Sequence, residues 1–170
     1  MKVKDLMTTE VKSCREYCTL NSAAQMMWEH DIGCVPIVDQ ENRVIGMLTD
    51  RDLCMGAYIQ GVPLTAASVM SAMSREVSRE VSREVFSCHP QDDLASVERL
   101  MREKQIHRVP VVDAEGRLTE TISLNDIARE AAQESRTKKS REVSAAEIAG
   151  TMASVCAPRH RVISATQAAA

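Results

Sequence analysis

Residues 27–53, MWEHDIGCVPIVDQENRVIGMLTDRDL, lie over residues 101–127, MREKQIHRVPVVDAEGRLTETISLNDI, at a constant offset of 74 with no gap. Met27 meets Met101, Ile32 meets Ile106, Val35-Pro36 meets Val109-Pro110, Val38-Asp39 meets Val112-Asp113, and Asp52 meets Asp126. Identity of this density marks two copies of one structural unit, expected to pack about a pseudo-twofold axis. Upstream the offset still pairs Cys14 with Cys88, and then breaks. The second copy carries eight extra residues there, accounted for by two surplus tetrads in the run SREVSREVSREV at 74–85. As a strand this run has no apolar face, so a short helix or solvated loop is expected, tolerated because loop closure costs only about 0.6 kcal/mol per doubling of length.

Each copy reads as strand, helix, strand, strand, helix. Thr19 is placed to cap a helix with Leu20, Ala23, Ala24 and Met27 on one face, and Asp93 to cap one with Leu94, Val97, Leu100 and Met101. The β-branched runs CVPIVD and RVPVVD follow, each closed by a polar turn and answered by a second strand. Both first runs contain a proline, Pro36 or Pro110, which predicts an edge strand or an interrupted ladder. Backbone groups freed by an interruption can bind a ligand. After each hairpin comes a hydroxyl with an acid three residues on, Thr49 with Asp52 and Ser123 with Asp126. A hydroxyl at a helix start suits a phosphate and the acid suits a ribose diol, although ordinary helix capping uses the same residues.

The 170-residue chain, with net charge −3 and 44% hydrophobic residues, is of globular composition, one domain or two small ones. It has no clustered Lys/Arg run, so neither nucleic acid nor an anionic membrane is an expected partner. No window approaches 18 apolar residues and MKVKDLMTTEVKS lacks a signal-peptide core, so a cytoplasmic location is expected. Six scattered cysteines form no CxxC pair and the four histidines have no ligand-spaced neighbours, so no metal site is expected.

The two matched segments resemble a tandem pair of CBS (cystathionine beta-synthase) domains, a Bateman module. The resemblance covers about residues 3–133, carried by IGCVPIVD through GMLTDRD and by IHRVPVVD through SLND. It implies an α/β (α+β) fold of two βαββα repeats packed through their sheets, with repeats at 1–66 and 67–133. It also implies two related clefts for adenosine derivatives such as AMP, ADP, ATP, S-adenosylmethionine or dinucleotides, and a flat homodimer. For the first cleft it implies backbone at 33–36 (Gly33, Cys34, Val35, Pro36) against adenine, Asp52 on the ribose, Thr49 and Arg51 near phosphate, and a wall at 11–14 that includes Val11 and Cys14. For the second it implies His107, Arg108, Val109, Pro110, Ser123 and Asp126, with Arg108 as a phosphate partner. Two departures matter: Glu120 stands where the first repeat has Gly46, repelling phosphate if it faces the cleft and neutral if it faces solvent, and Asn125 stands where it has Arg51, which ranks the first cleft as the better phosphate site.

The expected function is therefore a regulatory adenosine-nucleotide-binding module with no catalytic residues and no resident cofactor, acting on a regulated protein that the chain does not reveal. A structural dimerisation module with vestigial clefts is the alternative, and an enzyme with Cys34 or Cys88 as nucleophile is a third reading. Beyond a polar linker from Gln133, Ser144 and Glu147 form a capping-box signature for a helix near 144–156, and disorder is expected from about Pro158.

Overall fold

In a computed structural model of the chain, which describes residues 1–7, 10–73, 85–137 and 144–158, the duplication is visible element by element. The first repeat holds β1 (Cys14–Arg15), α1 (Leu20–His30), β2 (Cys34–Val38), β3 (Val44–Thr49) and α2 (Asp50–Gln60), followed by the short α3 (Val69–Ala72). The second holds α4 (Leu94–Lys104), β4 (Arg108–Val112), β5 (Leu118–Ser123) and α5 (Leu124–Thr137), followed by α6 (Ala145–Val155). The SREV tetrads fall outside the described residues apart from Val85, as does nearly all of the tail expected to be disordered.

The hairpins repeat even in their irregularities. Pro36 pairs with Met47 and Pro110 with Thr121, and each ladder slips one residue later, at Ile37/Val38 and at Val111/Val112. The helix ends repeat as well: Asp31 and Gln105 both sit in the left-handed region, at φ of 51° and 52°, closing α1 and α4. The first strands differ. β1 runs parallel to β2 through Cys14↔Ile37 and Arg15↔Val38, whereas Cys88 makes only a single parallel bridge to Val111. The strand expected at the start of the second repeat is thus one residue long, directly downstream of the surplus tetrads.

The repeats meet at their hairpin turns, and the contact obeys the offset. Val44 N–H donates to Gly116 O (3.2 Å) while Leu118 N–H donates to Asn42 O (2.8 Å), with Arg43 and Arg117 bridged between them. Arg43 faces its own counterpart Arg117, and the two flanking hydrogen bonds exchange partners by symmetry, so the pseudo-twofold axis passes through this pair. Asn42 and Gly116 both adopt positive φ, 65° and 79°, a backbone state that Asn and Gly tolerate best.

Packing divides the chain differently from the boundary drawn at 66/67. Ala67, Val69 and Met73 are buried in the first core with Leu20, Ile37 and Leu48, while Val3 is fully buried in the second, among Val97, Met101, Ile122 and Ile127. The leading segment therefore crosses to the second repeat: Val3 N–H donates to Asp92 O (3.1 Å) and Leu94 N–H to Met1 O (3.1 Å). The segment between the repeats does the same service for the first, with Leu20 N–H donating to Ala67 O (2.8 Å).

Two local expectations change. Thr19 caps α1 by accepting from Ser22 N–H, but the Asp93 side chain makes no cap; its carboxylate is taken by Lys2 Nζ at 2.8 Å. α5 continues to Thr137, past the point where the polar linker was expected to begin, whereas Ser144 and Glu147 do form the box that starts α6.

Candidate functional site

Interrupted pairing is real on β2. β2 is the middle strand of its sheet, in order β1-β2-β3, yet β1 pairs only with Ile37 and Val38. Residues 34–36 consequently have no strand partner on that side, and Pro36, buried in the middle strand, sits where no ladder is required of it. Gly33, exposed, leads into this stretch; Cys34 is half-buried and Val35 buried. Behind it, Cys34 pairs with Thr49 across the hairpin, and Gly33 O accepts from Asp50 N–H at 3.1 Å, which ties the open strand to the start of α2.

Thr49 and Asp52 form a closed capping box. Asp52 Oδ2 accepts from Thr49 N–H (2.9 Å) and from its hydroxyl (2.7 Å), while Asp52 N–H donates back to Thr49 Oγ1 (3.2 Å). Arg51 is exposed in the first turn of α2. Val11 is half-buried, and Cys14, buried, lies opposite Ile37 one strand away. The structure thus brings Gly33, Cys34, Thr49, Arg51 and Asp52 to one end of the first sheet, with the Cys14 strand stopping short of it.

The second repeat rebuilds the same arrangement with different chemistry. His107 is exposed, Val109 and Pro110 are buried, and Ser123 pairs with Arg108 across the hairpin. Asp126 accepts from Ser123 N–H (2.9 Å) and from the Ser123 hydroxyl, but it is buried and also holds the Arg129 guanidinium. Glu120, at the position of Gly46, is partly buried, with Oε2 shielded from solvent and without a hydrogen-bond partner. Burial pushes its carboxyl pKa upward. Gly46 is bare for a packing reason, because a Cβ there would come within 2.5 Å of Met73 Sδ.

Arg108 does not stay in its own repeat. Its Nη1 donates to Cys34 O at 3.1 Å and lies 3.3 Å from Cys34 Sγ, placing the guanidinium on the open stretch of β2. The resemblance assigned this arginine to the second cleft; its side chain stands at the first. Reading residues one repeat at a time missed this reach, and only the equality of the two positions hinted at it.

Among the described thiols, the two considered as nucleophiles are held protonated. Burial raises the Cys34 pKa, against the opposing pull of Arg108, and burial with Asp92 nearby pushes Cys88 up to about 12. Among the described residues no group of three His, Cys, Asp or Glu side chains is placed to hold a metal ion. None of the helices is long and apolar enough to cross a membrane, again among the described residues.

Comparison with known proteins identifies the family. The family model of the CBS domain matches residues 3–56 and 75–133. The CBS domain-containing protein YhcV of Bacillus subtilis is 35% identical over 126 residues, covering 74% of this chain and 82% of the relative. Hypoxic response protein 1 of Mycobacterium tuberculosis is 36% identical over 129 residues, with the same coverages of 74% and 82%. A crystal structure of Hypoxic Response Protein I with two coordinated zinc ions superposes with a TM-score of 0.65 at 32% identity, over 76% of this chain and 98% of that one. The CBS domain pair of protein MJ0100, solved with 5′-methylthioadenosine and S-adenosyl-L-methionine, gives 0.64 at 25% identity, also over 76% and 98%. Two repeats on one axis, the matched motifs and these relatives together establish that the chain belongs to the CBS domain family, as a tandem pair.

Proposed function

We propose that this chain is a regulatory module that binds an adenosine nucleotide or a related adenosyl ligand in its first cleft, acting in the cytoplasm on a partner protein. The observation that carries this reading is the open side of β2 at residues 34–36, next to the Thr49–Asp52 box and under the Arg108 guanidinium. An adenine edge offers a donor and acceptors that suit unpaired strand backbone. A carboxylate accepts about four hydrogen bonds, so Asp52 has capacity for a ribose hydroxyl beside those from Thr49. Arg108 and Arg51 supply the cations that a phosphate needs. The ligands in the MJ0100 structure, both adenosyl compounds, support the ligand class.

In this reading the ligand binds one packing of the repeats, or of two copies, better than another, and the partner reads the shift. The protonated thiols count against covalent catalysis. The second cleft is assigned weaker nucleotide binding, since Asp126 already holds Arg129 and Asn125 stands at the position of Arg51. Those two features favour, for that cleft alone, the second reading of a vestigial site in a structural dimerisation module. A thermal-shift screen with AMP, ADP, ATP, S-adenosylmethionine, NAD and cyclic dinucleotides tests the proposal: at least one adenosyl compound shifts the transition saturably. Absence of any shift would leave the structural reading for both clefts.

A further inference from the structure

The two repeats build the same turn after their first strand and place different chemistry on it. Cys18 N–H donates to Arg15 O at 3.0 Å, and at the matching positions Asp92 N–H donates to His89 O at 3.0 Å. The residue that ends each turn bears on the cysteine that precedes it. Burial, then the charge and hydrogen bonding of the Cys18 thiol, pushes the Cys14 pKa up to about 11. Burial, then the Asp92 charge, pushes its counterpart Cys88 up to about 12. Only the first repeat therefore holds two thiols across this turn.

Both thiols are free and both pack on the first core, Cys14 buried and Cys18 half-buried. Each is anchored from behind. Cys14 pairs with Ile37 in the sheet, and Cys18 O accepts from Val69 N–H at 3.1 Å. A turn of this kind holds its end Cα atoms within about 7 Å. A disulfide spans Cα separations of about 4.4–6.8 Å, the scale of this turn.

We propose that Cys14 and Cys18 are a dithiol couple, an oxidation site that a peroxide closes to a disulfide. Cys18, the one with solvent access, attacks a peroxide oxygen; the O–O bond breaks, Cys18 becomes a sulfenic acid, and its thiol proton leaves in a water molecule. The Cys14 sulfur then attacks the Cys18 sulfur, the S–O bond breaks, and the Cys14 proton leaves with the hydroxide as a second water. Two thiols have given up two electrons, and the peroxide has been reduced to two waters. Reversal requires a thiol reductant to attack the accessible Cys18 sulfur and expel Cys14, whose high pKa makes it a slow leaving group. The bond thus outlasts the oxidant, as a redox-sensing disulfide must. Cys14 also belongs to the wall implied for the first cleft, so the couple links that cleft to oxidant; this consequence rests on the nucleotide-binding reading, whereas the bond itself does not.

The test treats the full chain with hydrogen peroxide, alkylates the remaining thiols under denaturing conditions and cleaves after glutamate. Cuts after Glu10, Glu16 and Glu29 put Cys14 on 11–16, Cys18 on 17–29 and Cys34 on a third peptide, so mass spectrometry names the partners. The expected product is 11–16 joined to 17–29 and released by dithiothreitol, with 11–16 recovered alkylated from Cys18→Ser. Alkylated Cys14 in the oxidised wild type, or Cys14 joined to any other cysteine, would overturn the couple. Should Cys18→Ser fail to fold, the wild-type map decides alone. Calorimetry with AMP is expected to show affinities that differ about fivefold or more between the reduced and oxidised chains, the low end of ordinary coupling between sites. Equal affinities would overturn the link to the cleft, and absence of AMP binding in both forms would count against the binding reading without touching the mapped bond.

Discussion

Arg108 donates to the carbonyl of Cys34, the residue at its own position in the other repeat, at 3.1 Å. The backbone there follows the pseudo-twofold axis and the side chains break it, because one repeat supplies a cation and the other an acceptor. The open stretch of β2 is therefore met by side chains of both repeats, with the Arg108 guanidinium contributed by the second.

Replacing Arg108 with Gln is expected to weaken binding of AMP, ADP or ATP by about tenfold or more, the range of a lost charge-assisted hydrogen bond. Binding of 5′-methylthioadenosine, which carries no phosphate, should change little. Calorimetric titrations at two salt concentrations check this, since the Arg108 contribution to phosphate binding falls as salt screens it.

The capping boxes contribute stability independently of ligand. Asp52→Ala should cost about 1 kcal/mol, typical of a lost cap, and Asp126→Ala about 2 kcal/mol, because the buried Asp126 also leaves Ser123 and Arg129 without their partner. Urea unfolding of the two variants beside wild type measures the difference.

Gly46→Ala places a methyl within 2.5 Å of Met73 Sδ, so the variant should lose about 1–2 kcal/mol through overpacking. Met73→Ala leaves a cavity on its own, but combined with Gly46→Ala it should cost less than the two changes added. A double-mutant cycle reads that coupling directly.

Glu98, buried on α4, has Oε1 without a hydrogen-bond partner, and burial, with Glu147 nearby, raises its pKa against the pull of Arg102. The folded state then holds this proton to a higher pH than the unfolded state does. Its ionisation costs stability as pH rises through the folded pKa, and the cost disappears below the unfolded one. Glu98→Gln should therefore be more stable than wild type by about 1 kcal/mol at neutral pH, an advantage that shrinks on acidification. Melting curves of both proteins across that range test the sign.

Much of this was legible in the residues. The offset of 74 between the two matched segments exposed the duplication, and the spacing of Thr49 with Asp52 and of Ser144 with Glu147 located two helix starts. Those signals are local, set by neighbours three or four residues apart. What escaped depends on contacts far apart in the chain: Lys2 taking the Asp93 carboxylate, Val3 buried in the second core, and Arg108 crossing to Cys34. The Pro36 signal was legible only as a choice between an edge and an interruption, and sheet order decides for the interruption. Trp28 and Arg102 align in the repeat, but only the docked α6 shows what the arginine does, donating to Thr151 Oγ1.

The most direct test of the ligand-binding account is a calorimetric titration of AMP into the full chain, with Asp52→Asn alongside as a variant that keeps an N-terminal cap on α2. The account predicts saturable binding in the wild type and at least tenfold weaker binding in the folded variant. Saturable binding that Asp52→Asn leaves intact would contradict the site, and no saturable binding by AMP, ADP, ATP or S-adenosylmethionine would contradict the function.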